Sequence, residues 1–146
     1  MDTQDNIGDL FDDGGDEPTT SERYILVVDD SAMMRKAVVG QLKKMGYDTV
    51  EAADGREALA IVDLAIVDAT PPGLILLDVQ MPGMGGLDML KVLRASPKGS
   101  EIPVIMLTVD AAPANVRAAV HAQVKDYLVK PTNSQELRKR VQKYMT

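Results

Sequence analysis

The sequence has no cysteine. That excludes disulfides, thiolate metal sites and thiol nucleophiles together, and it suits a reducing compartment. Tryptophan is also absent, and the aromatic complement is four tyrosines and one phenylalanine. So few rings, with no basic stripe interleaved among them, make a poor stacking platform for a nucleic acid. No apolar run approaches the roughly 20 residues that a membrane-spanning helix needs. Nor do the first residues show the basic segment followed by an apolar one that marks a secretory signal, so a cytoplasmic location is expected. Two phosphate-binding signatures are missing as well. There is no Gly-Lys-Ser/Thr loop, and Gly83, Gly85 and Gly86 do not have the spacing of a dinucleotide fingerprint.

What remains is ordinary globular material. A chain of 146 residues, 45% hydrophobic and 26% charged, is one domain's worth and can bury a core without staples. Its net charge of −6 is unevenly spread, because residues 1 to 22 carry eight acids and no Lys or Arg. The remaining residues, 23 to 146, therefore sum to +2. Residues 1–22, rich in Asp, Gly and Thr, bury too little to offset ordering entropy and are expected to be a disordered acidic tail ahead of a domain at 23–146. Ile7, Leu10 and Phe11 interrupt that tail as a short acidic-hydrophobic docking segment would, although the composition as a whole fits a solvated leader.

Two runs set the architecture. Tyr24 to Val28 and Leu74 to Leu77 are apolar at every position, which reads as strands buried on both faces, as in a parallel sheet. Tyr47 to Ala52 alternates like an edge strand, Ile102 to Leu107 is a fourth strand and Asp126 to Val129 a fifth. Helices are expected over Ser31 to Met45, Arg56 to Val67, Leu87 to Ala95 and Pro113 to Ala122, with a last one from Thr132 or Asn133. On the first of these Met34, Ala37, Val38, Leu42 and Met45 recur at helical spacing, with Gly46 as the stop. Strands alternating with helices give an α/β fold, and right-handed crossovers around a buried first strand give a doubly wound five-stranded parallel sheet in the order 2-1-3-4-5.

That order carries polar strand ends to one edge. Asp29 and Asp30 follow the first strand, Asp78 the third, Thr108 the fourth and Lys130 the fifth. Ligands bind at the C-terminal edge of open α/β sheets. Unit charges ~4 Å apart repel by about 4 kcal/mol at an effective dielectric of about 20, so three gathered carboxylates need positive charge beside them. Lys130 supplies one, and a hard divalent cation with oxygen ligands, Mg²⁺ keeping several waters, supplies the rest. A carboxylate flanked by a cation, a hydroxyl and an ammonium suits a phosphoryl group, with Asp78 as nucleophile and phosphoacceptor and Thr108 as donor. Without a nucleotide loop, the phosphoryl group should arrive already activated on a partner. An aspartate-nucleophile phosphohydrolase would use an acid two residues after the nucleophile, and that position is Gln80.

Taken together, Val-Asp-Asp-Ser at 28 to 31, Leu-Asp-Val-Gln-Met-Pro-Gly-Met-Gly-Gly at 77 to 86, Thr108, and Tyr-Leu-Val-Lys-Pro at 127 to 131 resemble the receiver domain of two-component response regulators, of the chemotaxis-regulator kind. The resemblance implies a flavodoxin-like signalling switch. A histidine kinase or histidine phosphotransfer protein would phosphorylate Asp78, and the face of the fourth helix, fifth strand and fifth helix would carry the response to a downstream protein. It implies Mg²⁺ held directly by Asp30, Asp78 and the backbone carbonyl of Gln80, with Asp29 acting mainly through water. Thr108 and Tyr127 would form the switch pair. The chain would be a phosphoacceptor with at most weak autophosphatase activity, and a monomer or weak dimer. It is expected to be a stand-alone receiver, the alternative being one excised from a larger regulator or hybrid kinase. Four positions depart from the family pattern. Gln123-Val124 replaces a common Gly-Ala pair, Thr132 replaces an aromatic residue, and Val109 is larger than the usual Ala or Gly, which should slow small phosphodonors. Gln80 and Asp110 stand where the family tunes aspartyl-phosphate hydrolysis, while His121, the one histidine, reads as a surface residue.

Overall fold

The computed structural model describes residues 23–109, 113–121, 123–130 and 133–145, all but the side chain of Asn115. The acidic tail, Asp110, Pro131 and Thr132 lie outside the described residues, so expectations that fall on them are not addressed. Five strands, β1 (Tyr24–Val28), β2 (Asp48–Ala52), β3 (Leu74–Leu77), β4 (Val104–Thr108) and β5 (Asp126–Val129), alternate with five helices. The helices are α1 (Ala32–Lys44), α2 (Gly55–Val67), α3 (Gly86–Ala95), α4 (Pro113–His121) and α5 (Ser134–Met145). The sheet is parallel throughout, in the order β2-β1-β3-β4-β5.

Two-sided burial explains the unbroken apolar runs. Successive side chains point to opposite faces of a strand, so each run feeds two cores. Leu26, Val28, Ile75, Leu77, Val104 and Met106 face one way, against Ala58 and Val62 of α2 and Met89, Leu90 and Leu93 of α3. Ile25, Val27, Leu74, Leu76, Ile105 and Leu107 face the other, against Val38, Val39 and Leu42 of α1 and Leu137, Val141 and Met145 of α5. Burying a Leu, Ile or Val fully contributes roughly 1.5–3 kcal/mol, so this double layer is the main stabilising mass.

The helix ends carry the expected chemistry. Ser31 caps α1 by accepting from the Met34 amide, Asp54 caps α2 through the Glu57 amide, and Asn133 caps α5 through the Glu136 amide. Gly46, at φ +94°, ends α1 in the left-handed region that costs glycine little. Two details differ from the sequence reading. Ala37 is exposed, and the buried stripe of α1 runs through Val38, Val39 and Leu42 instead. β4 begins at Val104, because a short 3₁₀ turn at Gly99–Glu101 closes on Ile102, whose amide donates to the Gly99 carbonyl. Pro103 adds no amide of its own, though its carbonyl accepts from Ile75 of β3.

The turn into β5 is where the replaced glycine matters. Gln123 sits at φ +66°, a conformation that costs a side-chain-bearing residue roughly 1–2 kcal/mol. Arg94 holds the turn from outside. Its guanidinium donates to the carbonyl of Gln123 at 3.1 Å, and also to those of Ile102 at 2.8 Å and Gly99 at 3.1 Å. One side chain thus ties the end of α3 to the entries of β4 and β5, and its burial lowers its pKa from the ordinary arginine value. Arg94→Ala should lower unfolding stability by about 1–3 kcal/mol, since three carbonyls lose a charged donor. Gln123→Gly should leave stability unchanged or raise it by up to about 1 kcal/mol, strain relief being partly offset by glycine's entropy in the unfolded chain. Urea midpoints of the two variants check both signs.

Candidate functional site

Backbone registry brings the strand ends together. Val28 pairs with Leu77, so Asp29 and Asp78 emerge side by side, and the Asp78 amide donates to the Val28 carbonyl at 3.0 Å. Thr108 pairs with Val129, and the Lys130 amide donates to the Thr108 carbonyl at 2.7 Å. One carboxylate oxygen from each of Asp29, Asp30 and Asp78 lies within 4.8 Å of the others. Asp29 and Asp78 are buried and Asp30 is exposed. The Lys130 ammonium is buried among them, 2.5 Å from Asp29 Oδ2 and 3.4 Å from Asp78 Oδ2. Thr108 is fully buried at the end of β4.

Three carboxylates against one ammonium leave two negative charges in a partly desolvated hollow. The donor set is all oxygen, with one open side at Asp30, and it fits a hard divalent cation rather than a soft one. Gln80 is exposed two residues beyond Asp78, and its amide leans toward Asp78 Oδ1 at 3.4 Å. Tyr127 is half-buried and pairs with Met106, two positions before Thr108 on β4, while its ring packs against the α2–α3 core. Val109 is 62% exposed immediately after Thr108. His121 is exposed at the end of α4, away from the strand edge that carries the carboxylates.

Some supporting residues escape a sequence reading. Asp29 is fixed at both ends: its Oδ1 accepts from the Ser31 amide at 2.9 Å, and its carbonyl accepts from Arg35 Nη1 at 2.6 Å. Arg35 also pairs through Nε with Glu51 of β2 at 2.9 Å, and Lys36 reaches the other oxygen of that carboxylate at 3.0 Å. The one available signal was a pair of bases one turn into α1, which is too common to single out. Gly86 is the second case. A Cβ there would stand 1.9 Å from the Asp78 carbonyl, so only glycine lets the first turn of α3 press against the loop that carries Asp78. The Gly86 amide in turn donates to Val79 O at 2.9 Å.

An open parallel sheet that gathers three carboxylates, a lysine and a threonine at its C-terminal edge defines a class of α/β domain with an acidic, cation-compatible strand edge. Comparison narrows the class. Residues 25–142 match the model for the response regulator receiver domain. The chain is 40% identical over 119 residues to the chemotaxis protein CheY1 of Helicobacter pylori, covering 81% of this chain and 93% of that protein. It is 35% identical over 120 residues to the chemotaxis protein CheY of Pseudomonas aeruginosa, covering 82% and 93%. The match to the DNA-binding response regulator MtrA of Mycobacterium bovis, 37% over 122 residues, covers 84% of this chain but 50% of that protein. Among solved structures, Vibrio cholerae CheY4 superposes with a TM-score of 0.76 at 34% identity, covering 84% of this chain and 98% of that one. The chain belongs to the response regulator receiver domain family, whose members work in phosphorylation-dependent two-component signalling.

The charge imbalance has a measurable sign. In the absence of divalent cations, Asp30→Asn should raise unfolding stability by about 1 kcal/mol, because it removes one repelling anion at the exposed rim. Lys130→Met should lower it by about 3 kcal/mol, since two buried carboxylates lose their cation. Urea melts in a chelator check the pair, and shifts in the same direction would contradict this electrostatic picture. Glu51 gives a pH signature. Its hydrogen bonds to Lys36 and then Arg35 hold its carboxyl below the ordinary value. The stability it contributes is present above its unfolded pKa of about 4.3 and is lost as pH falls through the lower folded value. Glu51→Gln should cost about 0.5 kcal/mol at neutral pH and flatten the acid limb of a stability-versus-pH curve.

Proposed function

We propose that this chain is a phosphorylation-dependent switch whose phosphoacceptor is Asp78. The observation that carries this reading is the buried Lys130 ammonium shared between Asp78 and Asp29. An Asp78 carboxylate oxygen attacks the phosphorus of a phosphohistidine on a histidine kinase or histidine phosphotransfer protein. The phosphorus–nitrogen bond breaks, the imidazole leaves with the bonding pair, and an acyl phosphate remains on Asp78. Lys130 neutralises the non-bridging oxygens of the transferred group, and the Thr108 hydroxyl donates to one of them. Asp30, Asp78 and the Gln80 carbonyl would hold Mg²⁺, with Asp29 acting through water. When bound, the ion supplies charge neutralisation for the phosphoryl oxygens.

Phosphorylation adds about −1.5 to −2 charges at the sheet edge. The response runs through Thr108 and Tyr127, which lie on neighbouring strands, and shifts the population of the α4, β5, α5 face that a downstream protein reads. The chain is a phosphoacceptor rather than a turnover enzyme, and it acts in the cytoplasm through protein partners. Among the described residues no helix is long and apolar enough to cross a membrane. The DNA-binding description of one relative belongs to that protein, of which this chain spans half.

Incubation with a phosphohistidine donor and Mg²⁺ should label the wild-type chain and leave Asp78→Asn unlabelled. A chelator should suppress labelling, and Lys130→Arg should slow it while keeping the charge. Retention of label in Asp78→Asn would falsify the assignment.

A further inference from the structure

The proposed switch uses neither the acidic tail nor a groove of about 590 Å³ between α3 and α4, lined by Lys91, Arg94, Arg117, Ala118 and His121. Among the described residues no carboxylate lines that groove. Among the described residues the side chains of Lys91, Arg117 and His121 have no hydrogen-bond or ion-pair partner, so three exposed bases face a hollow that lacks counter-charge. On the other side of the ledger stand residues 1–22, with eight acids, no Lys or Arg, and the apolar residues Ile7, Leu10 and Phe11.

The groove lies near the first described residue, Arg23. The tail joins the domain at Arg23, which lines a second groove together with Lys98, Ile102 and Pro103. The Ile102 carbonyl accepts from Arg94, a lining residue of the basic groove, at 2.8 Å. A path flanked by Arg23, Lys98 and Arg94, with Glu101 as the one carboxylate among its described lining residues, thus leads from Arg23 to the groove. Twenty-two residues reach roughly 70 Å when extended, far more than a domain with a radius of gyration of about 14 Å requires. A tether of that length gives an effective concentration near the millimolar range, so weak charge pairs suffice for occupancy.

We propose that the acidic tail docks in the basic groove between α3 and α4 of its own chain, with its carboxylates on Lys91, Arg117 and His121 and its apolar residues on the floor at Ala118. This goes beyond the switch reading and does not rest on it. Docking would cover one flank of α4, making the tail an internal competitor for acidic partners of that face.

The cysteine-free chain allows one nitroxide, placed by Gly8→Cys, to report tail position in the full-length protein by paramagnetic broadening of backbone amides. At low salt, loss of signal is expected at Lys91, Arg117 and His121. It should be relieved at 1 M salt, where the Debye length falls to about 3 Å. Lys91→Glu with Arg117→Glu should relieve it too, as should Asp9→Asn, Asp12→Asn and Asp13→Asn in the tail, which leave the domain untouched. Broadening elsewhere, nowhere, or unchanged by these substitutions overturns the proposal. Broadening seen only when spin-labelled and isotope-labelled copies are mixed also overturns it, because the occupant is then the tail of a second copy.

Discussion

Charge crowding at the C-terminal edge of the sheet is the constraint to which the rest of this structure answers. Three carboxylate oxygens within 4.8 Å of one another, with one buried lysine among them, are a poor arrangement for stability alone. Like charges at such distances repel by several kcal/mol even at an effective dielectric of about 20. They stay together because their backbones are fixed by a sheet that is apolar on both faces from Ile25 to Val28 and from Leu74 to Leu77. The double core holds the strands in register, and the register leaves the carboxylates no room to separate. In the proposed function that retained repulsion is what a divalent cation and a phosphoryl group would relieve.

Most of this was legible in the chain. Short apolar runs closed by turn residues read as strands with cover on both sides, and two-sided cover calls for alternation with helices. Strand order then follows from crossover handedness, and the polar residues ending each run fall on one edge. Each of these steps uses local composition or a rule that holds for all such sheets. The convergence of Asp29, Asp30, Asp78 and Lys130 needed no knowledge of side-chain contacts, since the pairings of Val28 with Leu77, Leu77 with Met106 and Thr108 with Val129 carry their strand ends to one edge. The roles assigned to those residues remain the proposal of a function, and only their placement follows from the geometry.

The rest was illegible for a common reason. Arg35, Gly86 and Arg94 act on backbone carbonyls, of Asp29, Asp78 and the trio Gly99, Ile102 and Gln123, and carbonyls leave no mark in a sequence. A basic residue on a helix usually meets solvent, so nothing sets Arg94 apart from Arg138 until the turn it serves is visible. Ala37 failed in the opposite way. A 13-residue amphipathic helix tolerates a small apolar residue on its wet side, and periodicity alone does not separate Ala37 from Val39.

The replaced glycine before β5 joins these threads. Gln123 at φ +66° would by itself weaken the entry to β5, the strand that delivers Tyr127 and Lys130 to the site. Arg94 compensates by clamping that turn to the end of α3, and Gly86 presses the start of α3 against the Asp78 carbonyl. A single ten-residue helix therefore touches the loop that carries Asp78 at its N-terminus and the β5 turn at its C-terminus. A rigid element with both ends engaged transmits displacement in a way that a loop does not. In this chain α3 links the Asp78 carbonyl to the base of β5 by direct contact at each of its ends. The arginine that steadies the Gln123 turn is then also the residue that ties it to the helix whose start packs on the Asp78 carbonyl.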